Sequence, residues 1–366
     1  AESVKHVLFT GGGSAGHVTP NIALMEQLTA RRWRVSYVGS YGGIERTLVE
    51  AAQVVYSPIA TGKLRRYWSW QNFVDPILMV WGCVQAMVIC LTERPDVVFS
   101  KGGFVAVPVV FAAWICRIPV VCHESDVTPG LATRLCAPIA KTVCINFEET
   151  RRFIDARKAL LTGTPLRRAL LEGDRQRGLN WLGFSSDQPV LLVFCGSLGA
   201  ATINDVVRQA LPKLIAQMQV VHVVGDGQLS DKHRDIPGYR QLEFIGAEFG
   251  DVMMSSDVVV SRAGANALYE LIALRRPHLL IPLPLSASRG DQIQNARAFV
   301  RTGMSRILAQ EDLSAEVLVD AIRQVMAERM EIVTAQESFE VLDSTSMILA
   351  TIADLANEEL PDMTSE

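Results

Sequence analysis

The sequence predicts an α/β protein made of two doubly wound parallel-sheet domains. Three observations predict it. Short unbroken runs of Val, Ile and Leu alternate with longer helical stretches, and runs without polar alternation are those of strands buried on both faces. A glycine-rich turn, "GGGSAGH", directly follows the first run, as at a nucleotide-type strand-to-helix junction. The series lapses after about Thr150 and restarts at "PVLLVFCGSLGA" with a second strand and a second small-residue loop. A chain of 366 residues has room for two such domains.

In chain order, "HVLFT" is the first strand, followed by a helix from about Asn21 to Arg32 with Ile22, Met25 and Leu28 on one face. "VSYVG", "DVVFS" and "PVVCH" are further strands, with the helix "VPVVFAAWIC" between the last two. The apolar stretch Pro76 to Leu91, broken by Gln85, is shorter than the ~20 residues that span a bilayer. It reads as a helix with Pro76 in its first turn, set either deep in the protein or near lipid. An Arg- and Gly-rich stretch then joins the halves near Gly163–Gly183, giving domains at 1–163 and 164–344. "VVHVVG", "LEFIG", "DVVVS" and "HLLIP" complete the second half. "SMILATIADLANEEL" predicts a last helix at about 345–357, which in two-domain α/β proteins can return to the first domain.

Composition narrows function. A net charge of −4 argues against a general nucleic-acid binder. The seven cysteines lack C-x-x-C spacing and sit mostly in apolar runs, as buried thiols do in a reducing compartment. The first apolar run, Val7–Phe9, has the length of a strand and not of a secretion signal.

Gly11, Gly13 and Gly16 match G-x-G-x-x-G, but a dinucleotide site also needs an acidic residue at the end of the second strand. That strand ends at Gly39-Ser40, and Glu45 and Glu50 fall in the next helix, so the second half of the fingerprint is missing. What the loop does offer is close backbone approach and the positive end of a helix. His17 stands at this junction, with an imidazole able to titrate near neutrality. "CGSLGAATIN" lacks the lysine of an ATPase loop yet can cradle a diphosphate at Ser197. "SRAGANALYE" places Arg262 and Asn266 at a helix start and Glu270 about one turn in, where a carboxylate can accept from a ribose diol. In "PLPLSASRGDQIQNA", Gln292 and Asn295 are amides suited to sugar hydroxyls. "SKGGFVAVP" and "HESDVTPGL" leave strands on the same rim as His17 and contribute Glu124 and Asp126. Capping or packing roles explain each of these residues singly.

Taken together and in order, "GGGSAGHVTPN", "KGGFVAVPVV", "HESDVTPGLA", "GTPLR", "GSLGA", "SRAGANALYE" and "SRGDQIQNA" resemble the MurG family of bacterial N-acetylglucosaminyltransferases over roughly residues 4–310. The resemblance implies a GT-B fold, two Rossmann-like domains facing across a cleft. It implies transfer of N-acetylglucosamine (GlcNAc) from UDP-GlcNAc to lipid I, with inversion, to make lipid II. It implies that Ser14, Ala15 and Gly16 line the donor side and that His17 lies near the reacting groups. Asp126 would stand near the sugar, and Arg167 and Ser197 would meet the diphosphate. The backbone of Ile245 would meet the uracil. Ala265, Asn266, Ala267, Leu268, Tyr269 and Glu270 would hold phosphate and ribose, and Gln292 the GlcNAc hydroxyls. The chain reads "GGSAGH", "HESD" and "GSLGA" where many members read "GGTGGH", "HEQN" and "GSQGA", so Asp126 replaces a more usual Asn.

His17 is the first choice of general base, with Glu124 and Asp126 behind it. No D-x-D run is present, so neither a catalytic metal nor another cofactor is expected. A polyprenyl acceptor calls for a membrane surface. In "GKLRRYWSW", Lys63, Arg65, Arg66, Tyr67, Trp68 and Trp70 suit peripheral docking on anionic lipid at the cytoplasmic face of the cell membrane. The resemblance also implies cell-wall synthesis and division machinery as partners. The competing readings are another GT-B transferase, a UDP-GlcNAc 2-epimerase and a non-catalytic scaffold.

Overall fold

The computed structural model describes residues 4–13, 15–62, 71–196 and 200–357. The chain forms two compact units, Ala1–Pro165 together with Leu342–Glu366, and Leu166–Val341.

The first unit is a seven-stranded parallel sheet. Its strands are β1 (His6–Thr10), β2 (Arg34–Ser40), β3 (Val55–Ile59), β4 (Val97–Ser100), β5 (Val120–Glu124), β6 (Thr142–Ile145) and β7 (Ala159–Leu161), in the order β3-β2-β1-β4-β5-β6-β7. The central strands are Val-rich because helices cover both faces. On one face Val7, Phe9 and Phe99 pack with Leu24, Leu28 and Val49, and the terminal helix Ser344–Leu355 completes this core with Ile348, Leu349 and Ile352. Lys5 Nζ donates to the Ala356 carbonyl at the end of that helix. On the other face Leu8, Val98 and Val143 pack with Ala86, Cys90, Val109 and Val110.

The second unit is a six-stranded parallel sheet of β8 (Val190–Phe194), β9 (Gln219–Val223), β10 (Tyr239–Leu242), β11 (Val258–Ser261), β12 (His278–Leu280) and β13 (Arg306–Ile307). Its order is β10-β9-β8-β11-β12-β13. The helices Ala201–Ile215 and Ala315–Ala327 bury Ile203, Val207, Leu318 and Ile322 against it.

Three elements differ from expectation. The first helix spans Ala15–Ala30, so it begins on the glycine loop itself and Pro20 lies inside it. Proline there forfeits only the bond to the Gly16 carbonyl, next to a helix end whose backbone groups are unpaired in any case. The apolar helix spans Gln71–Glu93, which puts Pro76 in its second turn. The strand expected at "LEFIG" lies earlier, at Tyr239–Leu242, because Tyr239 is buried and hydrogen-bonded to His222 whereas Phe244 is exposed.

Candidate active site

In both sheets the strand order reverses beside the first strand, between β1 and β4 and between β8 and β11. Open α/β sheets bind ligands beyond the carboxyl ends of the strands at such switch points. Of the described residues singled out by sequence, His17 follows β1, and Arg262 and Ala265 to Glu270 follow β11.

On the first rim the loops after β1 and β4 interlock. The Gly12 N–H donates to the Gly102 carbonyl at 3.3 Å. Gly102 and Gly103 take φ of +98° and +86°, a region that L side chains rarely adopt, and Gly103 backs onto the Gly12 carbonyl. Tyr37 Oη braces the same loop by donating to the Gly11 carbonyl at 2.7 Å. His17 is in the first turn of its helix, with Nδ1 2.9 Å from the Gly12 carbonyl. A carbonyl only accepts, so in the neutral ring the proton sits on Nδ1 and the lone pair on Nε2. That is the tautomer a general base requires.

Glu45 begins a helix after β2, yet its carboxylate folds back to the strand end. Its Oε1 accepts from the Ser40 N–H at 3.2 Å and from the Ser40 hydroxyl. It also packs under the loop, where a Cβ added at Gly12 would lie 2.6 Å from Oε1.

Glu124 is committed to structure. Oε1 accepts from the Asp126 N–H at 3.0 Å and Oε2 from the Gly130 N–H at 3.2 Å. It braces the 124–130 turn through these two bonds. Asp126 is half-buried on that turn, and its carbonyl accepts from Thr150 Oγ1.

On the second rim, Gly264 caps the helix Ala265–Ala273 and makes no side-chain cap hydrogen bond. Arg262 donates from Nη1 to the carbonyls of Ile281 and Pro282, so it ties the loop after β11 to the loop after β12. The Gln292 Oε1 accepts from the Ala263 and Leu283 N–H groups, at 3.3 and 3.0 Å. This network fixes the amide orientation and sets Nε2 on the side of Gly264. Asn295, expected as a sugar contact, is buried and donates to the Ala263 carbonyl, so its role is to hold the loop.

Glu270 is largely buried, and burial pushes its carboxyl up to about 7, while the Arg167 guanidinium pulls the other way. Arg167 Nη2 lies 3.9 Å from Glu270 Oε1, and its guanidinium rests over the Phe249 ring. Ala267 is half-buried in the first turn of that helix, and Ile245 is half-buried in the loop after β10. Leu268 and Tyr269 turn their side chains into the core. Both side chains are buried, the Leu268 N–H is spent on the Gly264 carbonyl, and Tyr269 packs edge-on against Phe339. Of Ala15 and Gly16 the structure describes only their place in the first helical turn. Ser14, Ser197 and the membrane candidates Lys63, Arg65, Arg66, Tyr67, Trp68 and Trp70 lie outside the described residues.

Sequence reading passed over Lys101, which is buried after β4 with Nζ 2.5 Å from His123 Nδ1 and 2.7 Å from Ser125 Oγ. The signal available was a lysine set between a buried central strand and two glycines.

Two parallel α/β units of this topology, each with a glycine-bearing switch point, are the fold of the GT-B glycosyltransferases. The crystal structure of MurG from Acinetobacter baumannii matches with a TM-score of 0.77, at 24% identity, over 96% of this chain and 99% of that one. The chain belongs to glycosyltransferase family 28. The family's N-terminal domain matches residues 7–145 and its C-terminal domain residues 190–348. Among its relatives is a UDP-N-acetylglucosamine–N-acetylmuramyl-(pentapeptide) pyrophosphoryl-undecaprenol N-acetylglucosamine transferase of Legionella pneumophila (strain Paris), 46% identical over 97% of this chain and 98% of that protein. The protein of the same name from Lachnospira eligens is 47% identical over 96% of this chain and 99% of its own length.

Proposed function

We infer that this enzyme transfers GlcNAc from UDP-GlcNAc to the C4 hydroxyl of N-acetylmuramic acid in lipid I, forming lipid II with inversion at the anomeric carbon. The observation that carries the reading is the end-to-end identity with transferases of that activity, 46% over 97% of the chain.

The second unit is the donor unit. Ile245 meets the uracil through its backbone, and Glu270 accepts from the ribose diol. The helix N-terminus at Gly264–Ala267, with Arg167, takes up the negative charge that grows on the diphosphate as the glycosidic bond breaks. Gln292 Nε2 donates to a GlcNAc hydroxyl, and Arg262 holds the loop that presents it.

The first unit supplies the acceptor side. His17 Nε2 takes the C4 hydroxyl proton as that oxygen attacks the anomeric carbon. The bond to the β-phosphate breaks, and UDP leaves with its electron pair. Asp126 is the second polar group beside the acceptor. Attack opposite UDP gives a β-linkage.

The lipid chain of the acceptor requires a membrane face, and the helix Gln71–Glu93 offers one. Ile77, Val80, Trp81, Val84, Val88 and Leu91 follow helical spacing and are 46–69% exposed. Trp114 and Ile115, at the end of the neighbouring helix, are exposed as well. By length and apolarity the helix could cross a bilayer. Its other side, however, belongs to the domain. Ala86 and Cys90 are core residues, Gly82 lies against the Ala60 carbonyl, and Gln85 bonds the Ala60 N–H and the Tyr41 hydroxyl. A helix so anchored lies on a membrane and does not thread it. Peripheral docking at the cytoplasmic face follows, with Lys63 to Trp70 as the adjoining basic-aromatic segment.

The test is transfer from radiolabelled UDP-GlcNAc to a short-chain lipid I analogue. The wild type forms product, and His17→Ala loses ~10²–10⁴-fold in kcat while still binding UDP-GlcNAc. Wild-type protein that binds the donor but forms no product would sink the acceptor assignment. A fully active His17→Ala would move the base elsewhere.

A further inference from the structure

The loop that follows β9 is bonded to the strand exit that leads to Ile245. Within residues 225–230, three N–H groups donate to β10 and the residue after it. The Gly225 N–H reaches the Glu243 carbonyl at 3.1 Å, the Gly227 N–H reaches Glu243 Oε1 at 2.9 Å, and the Ser230 N–H reaches Gln241 Oε1 at 3.0 Å. Gln241 Nε2 donates in turn to the Ser230 carbonyl at 2.6 Å, so a single amide holds both backbone groups of one residue. The same loop is tied to the helix Ala201–Ile215, where Arg208 Nη2 donates to the Gln228 carbonyl.

Uracil presents a donor, N3–H, beside an acceptor, O4. Cytosine presents the reverse, an acceptor at N3 beside a donor 4-amino group. The N–H and C=O of a backbone complement the first pair and oppose the second. Opposition discriminates only while the peptide groups stay in place, because a loose segment turns to suit the wrong base. Side-chain packing does not hold this segment, since Phe244, next to Ile245, is 76% exposed. The hydrogen bonds of Gln241 and Glu243 hold it instead.

Resting on the donor-unit reading, we propose that Gln241 and Glu243 are positioning residues that set the base specificity of the donor site. By tying residues 225–230 to the exit of β10 they fix the Ile245 backbone, and a uridine diphosphate is thereby accepted and a cytidine diphosphate refused.

The experiment measures UDP and CDP affinity by calorimetry in the full chain, for the wild type, Glu243→Ala, Gln241→Ala with Glu243→Ala, and Glu243→Gln. Melting temperature and kcat at saturating UDP-GlcNAc are read beside it. The wild type should prefer UDP by at least about a hundredfold, as a site built to hydrogen-bond one base leaves its polar groups unpaired against the other. The double alanine variant removes the side-chain bonds to Gly227 and Ser230. Its UDP affinity should fall about ten- to a hundredfold and its CDP affinity less, so the preference shrinks at least about fivefold. Its kcat should stay within about twofold, because base binding is common to ground and transition states. Glu243→Gln keeps an acceptor oxygen for Gly227 and should keep the preference. A pair that only braced the fold would lower both affinities alike, so an unchanged UDP-to-CDP ratio in the alanine variants overturns the proposal. So does a Glu243→Gln variant that loses the preference as fully as Glu243→Ala. If the double variant does not fold, Glu243→Ala alone is read the same way, with the preference expected to shrink at least about twofold. Wild-type protein that binds UDP and CDP equally overturns the reading of Ile245 together with the clamp, whereas discrimination that survives the alanine changes overturns the clamp alone.

Discussion

Replacing Glu270 with Gln should strengthen the fold and ruin the donor site, and the two effects should separate by pH. The Glu270 carboxyl is raised from 4.5 to about 7 by burial. An acid raised in the folded state contributes stability that is complete below its unfolded pKa and is lost as pH climbs through the folded one. Wild-type protein therefore loses about 3 kcal/mol between pH 4.5 and pH 7, at 1.36 kcal/mol per pK unit. Glutamine carries no charge to bury, so the variant escapes that loss. At pH 5 the variant should melt only slightly higher, because no more than about 0.8 kcal/mol of the loss has occurred by that pH. At pH 8 the variant should melt roughly 6–12 °C higher for a unit of this size. UDP-GlcNAc binding should move the opposite way. If the ribose diol needs the carboxylate, wild-type affinity falls about tenfold from pH 8 to pH 6, as ionisation drops from ~90% to ~10%. The variant should bind weakly at every pH. Calorimetric titration and thermal melts across pH 5–8 check both limbs. An equal melting difference at pH 5 and pH 8, or wild-type affinity that ignores pH, would refute the reasoning.

Two further outcomes follow from the same geometry. Gln292→Glu keeps the oxygen that accepts from Ala263 and Leu283 but replaces the amide donor by a second oxygen on the side of Gly264. UDP-GlcNAc affinity should fall about ten- to a hundredfold by calorimetry, with no loss of melting temperature, since a buried donor to the ligand is exchanged for a repelling charge. Val84→Glu with Val88→Glu, on the exposed stripe, should cut partition into anionic vesicles by roughly thirtyfold or more, from about 2 kcal/mol of lost apolar transfer. Flotation at unchanged melting temperature is the readout, and undiminished flotation would remove this helix from the membrane face.

What could be read from sequence followed burial. β1, β4, β5, β8 and β11 are central strands, covered on both faces, and their unbroken Val-rich runs announce them. β3, with its internal proline, and the two-residue β13 lie at sheet edges, where no such run is required. Apolar content misled at "LEFIG", because Phe244 is apolar yet faces water. Composition also left open whether the Pro76–Leu91 stretch was buried or near lipid; only the packing of Ala86 and Cys90 shows which side the domain uses. Among site residues, Gln292 and Glu270 were marked by residue type after a strand. Leu268 and Tyr269 came from resemblance, and helical spacing already places Leu268 on one face with Ala265, Leu271 and Ile272, the face that is buried. Lys101 was hidden by habit, since lysine ordinarily signals solvent, and Glu45 by distance in sequence, since its carboxylate returns to a strand end five residues earlier.

The two rims share a topology but differ in what they gather, and the chemistry asks for the difference. A diphosphate that gains charge in the transition state cannot be met by carboxylates. The switch point of the second unit accordingly presents a helix N-terminus, an arginine and an amide whose acceptor is already spent. Its one carboxylate, Glu270, is held near Arg167 and raised by burial, so it costs the fold stability that a structural residue would not be expected to forfeit. In the proposed transfer the first rim handles a proton, and it collects groups that can hold one: His17, Lys101, His123, Glu124 and Asp126. Most are pinned by backbone partners, His17 through Gly12, His123 through Gly163 and Glu124 through two N–H groups. Pinning fixes which atom carries a proton before substrate arrives. In the proposed transfer His17 would need no tautomer change, because its Nδ1 already faces the Gly12 carbonyl.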